Sequence, residues 1–257
     1  KALAKKDNAK YQKEYDKFTF LDGQQTLLKL IETKASLARF SDGEFEQIVG
    51  AGEYPPDSDW CQKWSPELIR DILKTLSSAE PKLLVAVDPP STFMREKSAD
   101  EYHIRFEYNM WIDMRRLMWR YLVPGREYGH SHLFIKANCP EFDWTLLKNH
   151  LRDKDIIIAS GNTHLINHLR LGKTTTYVEC GTENAYEKKE TIKRDIEAVI
   201  ADKNLDKDNL IVLASLGPTA FIIAHEFLEK DICVWDSGHM FEFASEGFMD
   251  TVFNESN

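Results

Sequence analysis

No stretch of this chain approaches the run of about 18 apolar residues that a membrane-crossing helix needs, so no membrane span is expected. Positive charge is also short. With 33 Lys and Arg against 42 Asp and Glu the net charge is −9, so a broad electrostatic grip on nucleic acid is not expected. Cysteine is scarce and scattered: Cys61, Cys139, Cys180 and Cys233 form no CxxC pair, which argues against a zinc cluster. Scattered cysteines, with a charged start that lacks the apolar core of a signal peptide, suggest a reduced, cytoplasmic protein. Internal repeats, low-complexity tracts and long linkers are missing, as are GxGxxG, the P-loop with its Lys, HExxH and GxSxG. These absences disfavour dinucleotide-binding, ATPase, zincin and α/β-hydrolase readings.

What is present is a rhythm. Strand-like runs occur at "SLARF" (36–40), "KLLVAV" (82–87), "HSHLFIK" (130–136), "DIIIAS" (155–160), "TTTYVEC" (174–180), "NLIVLAS" (209–215) and "DICVWD" (231–236). Helical patterns fall between most of them, including "DGEFEQIVGAG", "SPELIRDILKTLSSA", "FDWTLLKNHLRD", "GNTHLINHLRLG", "ETIKRDIEAVIADK" and "LGPTAFIIAHEFLEK". A long aromatic-rich and Arg-rich helix is expected over residues 100–122. Strands alternating with helices of this length imply an α/β, Rossmann-like fold, a mostly parallel sheet with helices on both faces. The expected division is a helical lead over residues 1–34, one domain over 35–250 and a tail over 251–257.

In such sheets ligands sit outside the C-terminal strand ends. That rule selects the loops holding Ser41-Asp42-Gly43-Glu44, Asp88, Ser160-Gly161-Asn162, Cys180-Gly181-Thr182, Ser215-Leu216-Gly217-Pro218-Thr219 and Asp236-Ser237-Gly238-His239. Asp42 and Glu44 carry two readings. Converging carboxylates would hold a hard divalent cation; alternatively Asp42 caps the following helix and Glu44 favours its first turn. Arg39 is a candidate partner for a phosphate or for Asp42. Gly217, Pro218 and Thr219 would start a helix whose amides face the rim, for a ligand or merely for helix initiation. His239 lies near Asp236, Glu242 and Glu246 and is a candidate metal ligand or proton carrier. Ser160, Gly161 and Asn162 suit polar contacts with a ligand. His164 and His168 stand four apart without the Glu of a zincin. Arg105, Arg115, Arg116 and Arg120 are candidate phosphate or sugar contacts, on a helix whose aromatics mostly suit packing.

Four fragments in order, "ARFSDGEF", "CGTENAY", "ASLGPTAFIIAHEF" and "DSGHMFEF", resemble the GT-D fold glycosyltransferases over roughly residues 36–246. The resemblance implies a nucleotide-sugar donor, typically UDP-hexose, a divalent metal such as Mn²⁺ or Mg²⁺, and a glycan or glycoprotein acceptor. It places the metal on Asp42, Glu44 and His239, and catalysis on these with Glu242. It places nucleotide-sugar contacts on Gly217, Pro218, Thr219, Asn184 and Ala185, which join Arg39, Ser160, Gly161 and Asn162. Ser41 departs from the Gly usual in the family, and the acids after His239 fall at a different spacing, leaving Glu242 and Glu246 both open. Two other functions fit the same rim: a nucleotide-sugar hydrolase or phosphohydrolase, and a binding module without turnover.

Overall fold

The structure, a computed structural model, describes residues 15–49, 62–88, 120–136, 138–238, 240–241 and 252–253, without the side chains of Asp42, Glu46 and Val49. In chain order the elements are β1 (Thr19–Phe20), α1 (Gly23–Thr33), β2 (Ser36–Phe40), α2 (Asp42–Val49), α3 (Pro66–Leu76), β3 (Leu83–Val87), β4 (Glu127–His130), α4 (Trp144–Arg152), β5 (Asp155–Ser160), α5 (Thr163–Ile166), β6 (Thr174–Glu179), α6 (Lys189–Asp202), β7 (Leu210–Ser215), α7 (Pro218–Glu226) and β8 (Val234–Asp236). Among the described residues the eight strands form one sheet in the order β1-β4-β3-β2-β8-β7-β5-β6, and every pairing is parallel.

Alternation along the strands divides the core. Ile157, Val212, Ala214 and Val234 meet Ile72 of α3, Ile196 of α6 and Phe221 of α7 on one face. Ile156, Ile158, Leu213 and Trp235 meet Leu27 and Leu30 of α1 and Leu147 and Leu151 of α4 on the other. Helix starts follow local chemistry. Asp22 accepts from the Gln25 N–H at 2.7 Å while Gln25 Oε1 accepts from the Asp22 N–H at 3.0 Å, closing a capping box on α1. Ser65 caps α3 by accepting from Leu68 N–H at 3.1 Å, with Pro66 at the first helical position. Helix α7 is buried from Pro218 to Ala224 and sets Phe221 4.3 Å from Phe40 of β2.

Two expectations change. The strand expected at "HSHLFIK" is Glu127–His130 instead, and turns follow it. There His132 N–H bonds to its neighbour's ring at His130 Nδ1, and Arg39 takes the Ser131 carbonyl, so the backbone leaves the ladder. The helix expected across "GNTHLINHLRLG" stops at Ile166. The Tyr177 hydroxyl lies 2.9 Å from the Ile166 carbonyl and 2.7 Å from that of Leu169, where helical amides would otherwise bond. His164 and His168 therefore share no helix and are exposed. Within residues 15–34, β1 pairs with β4 and α1 packs through Leu27 and Leu30. Phe253, in the stretch read as a tail, is buried against the same face. Of the long helix expected over 100–122, only its last three residues are described, with Arg120 exposed; Arg105, Arg115 and Arg116 lie outside the described residues.

Candidate active site

The loop after β5 leads outward to β6, while the loop after β7 leads the other way to β8. Their shared C-terminal edge is therefore a topological switch point, where a crevice for a ligand opens. Ser160 stands opposite Ser215 across it. Gly161 is packed so closely on the loop after β6 that a Cβ there would lie 2.4 Å from the Gly181 carbonyl oxygen. On the other lip Gly217 is exposed with φ +55°, a conformation glycine adopts without strain. Asn162 and Gly217 are exposed, and Ser215, Gly161 and Asn184 are half-buried. Ser160, Ala185, Pro218 and Thr219 are buried and shape the walls, with Thr219 Oγ1 lacking a hydrogen-bond partner. Asn184, at φ +52°, accepts from the Lys63 N–H at 2.9 Å and so fixes the segment after β6 against the approach to α3. Gly161→Ala is expected to destabilise by about 1–3 kcal/mol, because backbone on the facing loop must shift; urea titration measures it.

At the end of β2 the guanidinium of Arg39 is buried. Its Nε donates to the Asp236 carbonyl at 2.8 Å, Nη1 to the Ser131 carbonyl at 2.8 Å and Nη2 to Asp236 Oδ1 at 3.2 Å. Asp236 is 4% exposed, and burial raises its carboxyl pKa more than Arg39 holds it down. Arg39 is thus partnered by Asp236 on the adjacent β8, because the parallel register sets Leu37 beside Trp235 and brings the next positions together. Arg39 clamps β2, β8 and the turn after β4 into one rim.

Just beyond, α2 begins at Asp42, so Asp42 occupies its first turn and Ser41 precedes it. Glu44 Oε2 accepts from the Ser41 N–H at 2.8 Å, half of a capping box. Burial pushes the Glu44 carboxyl up to about 7, reinforced by Asp236 and opposed by the Ser41 amide. Its oxygens are hard donors of the kind that Mg²⁺ or Mn²⁺ takes. The Asp42 side chain, His239, Glu242 and Glu246 lie outside the described residues, so the expected ligand set is represented by Glu44. Among the described residues no group of three His, Cys, Asp or Glu has metal-binding spacing.

The sequence reading did not single out His132. Asp88, fully buried at the end of β3, lies 2.8 Å from His132 Nδ1, and His132 Nε2 lies 2.9 Å from Ser41 Oγ. Ser131 donates to the same Asp88 oxygen, and Ser41 Oγ reaches the other at 3.3 Å. Asp88 had a signal, its place at a strand end; His132 was masked by the strand-like look of "HSHLFIK". Cys180 and Cys233 are pushed up to about 12 by burial, which leaves them protonated and unreactive. Two cavities, about 370 and 610 Å³, open on the opposite edge of the sheet. Their charges include pairs such as Lys82–Asp231 at 2.7 Å, and they hold no comparable constellation.

The family model for the glycosyltransferase GT-D fold matches residues 37–250. A probable glycosyl transferase, Gly, of Streptococcus gordonii is 25% identical over 227 residues, covering 84% of this chain and 31% of that protein. The glycosyltransferase GlyD of Streptococcus pneumoniae serotype 4 is 23% identical over 234 residues, 84% of this chain and 26% of its own length. The chain therefore spans about a third or less of these curated relatives. Among solved structures, one described as a highly conserved domain of unknown function 1792 with a distinct glycosyltransferase fold superposes with a TM-score of 0.69 at 21% identity, covering 93% of this chain and 86% of that one. A new glycosyltransferase of the same domain family from Streptococcus sanguinis gives 0.66 at 22%, covering 90% and 85%.

Proposed function

The chain belongs to the GT-D fold glycosyltransferase family, and from that premise we propose that it moves a hexose from a UDP-sugar to a hydroxyl of a glycan or glycoprotein, with Mn²⁺ or Mg²⁺ bound at Asp42, Glu44 and His239. What supports the metal assignment is the place of Glu44, a half-buried carboxyl just past the C-terminal end of β2 that accepts from the Ser41 N–H at 2.8 Å. The bound ion would supply charge neutralisation for the leaving diphosphate. The crevice between β5 and β7 then receives the nucleotide, with exposed Gly217 permitting close backbone approach, Gly161 holding the β5 and β6 loops together, and Ser215, Asn162 and Asn184 offering polar groups. Strands lie about 4.8 Å apart, so β7 and β2 are separated by roughly 10 Å across β8, a span suited to a diphosphate and its sugar. Arg39 serves by holding the β2 and β8 lips in place through Asp236. The thiols of Cys180 and Cys233 favour a reducing, cytoplasmic setting.

The test is a UDP-sugar panel with Mn²⁺. UDP release that requires a glycan acceptor supports transfer; release without one points to a hydrolase, and tight binding without turnover to a binding module. Asp42→Ala with Glu44→Ala is expected to weaken Mn²⁺-dependent UDP binding at least about tenfold, some 1.4 kcal/mol. Calorimetry that finds UDP affinity unchanged in the double variant sinks the metal assignment.

A further inference from the structure

The donor path just described runs from β7 toward β2. The next strand ends beyond it are those of β3 and β4, the side from which an acceptor would enter. The Asp88–His132–Ser41 chain sits there. Asp88 is fully buried, whereas the His132 side chain is 18% exposed and Ser41 is half-buried, so the series runs from the interior to the rim. The ring is fixed at both nitrogens, at 2.8 Å to Asp88 and 2.9 Å to Ser41 Oγ. Its backbone is fixed too, because His132 N–H donates to His130 Nδ1 at 3.1 Å.

We propose that His132, held by Asp88 and reaching the rim through the Ser41 hydroxyl, takes up the proton that the acceptor hydroxyl loses during transfer; this rests on the transferase reading above. As the acceptor oxygen bonds to the anomeric carbon, the bond from that carbon to the diphosphate oxygen breaks, and the diphosphate leaves with the electron pair. The acceptor proton passes to Ser41 Oγ while the Ser41 proton passes to His132 Nε2. The geometry accommodates both ends of this step. With the ring neutral, Asp88 accepts from Nδ1–H and Nε2 accepts from the hydroxyl. With the ring charged, Nε2–H donates to Ser41 Oγ, and that hydroxyl turns to Asp88 Oδ2 at 3.3 Å. Among the described residues the titratable and charged groups around the ring include His130 on β4 at 6.3 Å between ring centres, Asp88 at the end of β3, Glu44 beside Ser41 on α2, and the Arg39–Asp236 pair that holds Ser131. His130 is kept neutral by burial, so it does not compete for the proton.

A network that merely pinned strand ends would contribute to stability without shaping a pH profile, and kinetics separate the two. With UDP-glucose, Mn²⁺ and p-nitrophenyl N-acetylglucosaminide as hydroxyl probe, His132→Gln should lower kcat by about 10²–10⁴-fold, the usual contribution of a general base. It should also remove the acid limb of the profile while leaving UDP affinity unchanged. Asp88→Asn should act in the same direction. Ser41→Ala should lose activity and Ser41→Thr, which keeps the hydroxyl, should restore it. Independently, ¹⁵N-histidine NMR of the wild type should find His132 protonated at Nδ1 when neutral. An Nε2–H tautomer, or a His132→Gln enzyme with unaltered kcat and acid limb, overturns the relay while the transferase stands. A wild type that releases no UDP from any UDP-sugar overturns the transferase reading and the relay with it.

Discussion

Arg39→Met is expected to lower the free energy of unfolding by about 3–5 kcal/mol near neutral pH, the penalty of leaving one buried charge without its partner. Asp236, 4% exposed, is the charge left behind. The Asp236 and Ser131 carbonyls also lose donors, each loss adding to the penalty. The effect has a pH signature. Without the guanidinium, the Asp236 carboxyl moves further above its unfolded value. A carboxyl raised in the folded state makes stability fall as pH climbs from the unfolded pKa through the folded one. The deficit of Arg39→Met should therefore be smallest near pH 4 and largest above neutrality, as urea titrations at several pH values would reveal. Replacing both partners, Arg39→Met with Asp236→Leu, should recover much of the loss, since an apolar pair strands no charge. Gly238→Ala should mimic the single variant: its Cβ would fall 1.4 Å from Arg39 Nη2, at a residue with φ +43°. A pH-independent deficit, or one below about 1 kcal/mol, would show that the clamp contributes little beyond an ordinary hydrogen bond.

The sequence made one half of this site plain and concealed the other. Runs such as "DIIIAS" and "LIVLAS" are buried on both faces, so their apolar character is continuous and their boundaries are sharp. Pro66 and Pro218 announced helix starts for steric reasons that need no tertiary context. The crevice loops could be found because glycine and small hydroxyl residues gather at strand ends. Contacts closed by the sheet order left no local trace. Arg39 and Asp236 are 197 positions apart, and nothing near Arg39 distinguishes a buried clamp from a phosphate ligand. Strand β1 has only two residues and is defined by its partner β4 rather than by its own pattern. His132 was hidden because "HSHLFIK" alternates like a strand, and the side-chain capture of its backbone depends on Arg39 and His130. The shortfall of α5 had the same origin, a tyrosine from the neighbouring strand occupying carbonyls that propensity assigned to a helix.

Glu44→Gln should stabilise the metal-free protein, and only above mid-acid pH. The Glu44 carboxyl is pushed up to about 7 in the folded state from its ordinary value of 4.5. Below the lower value both folded and unfolded chains carry the proton, and the substitution changes little. Between the two values the folded protein holds a proton that the unfolded chain has released, so wild-type stability declines as pH rises. Above about 7 the wild type bears the full cost of a buried carboxylate, up to about 3 kcal/mol from a shift of this size. Glutamine has no such titration and keeps a carbonyl oxygen for the Ser41 N–H. The advantage of Glu44→Gln should therefore appear across pH 4.5–7 and level off above, as read from denaturant midpoints in chelator. Divalent ion provides the opposing arm. Mn²⁺ at a hundredfold over its Kd would stabilise a chain that binds it by about 2.7 kcal/mol, favouring the wild type and erasing most of the variant's advantage. Equal stabilisation of both proteins by Mn²⁺ would remove Glu44 from the ligand set. A variant no more stable than wild type in chelator at pH 8 would mean that the Glu44 carboxyl is better solvated than its setting beneath the rim suggests. Both outcomes read the carboxyl itself, without requiring a donor sugar or an acceptor.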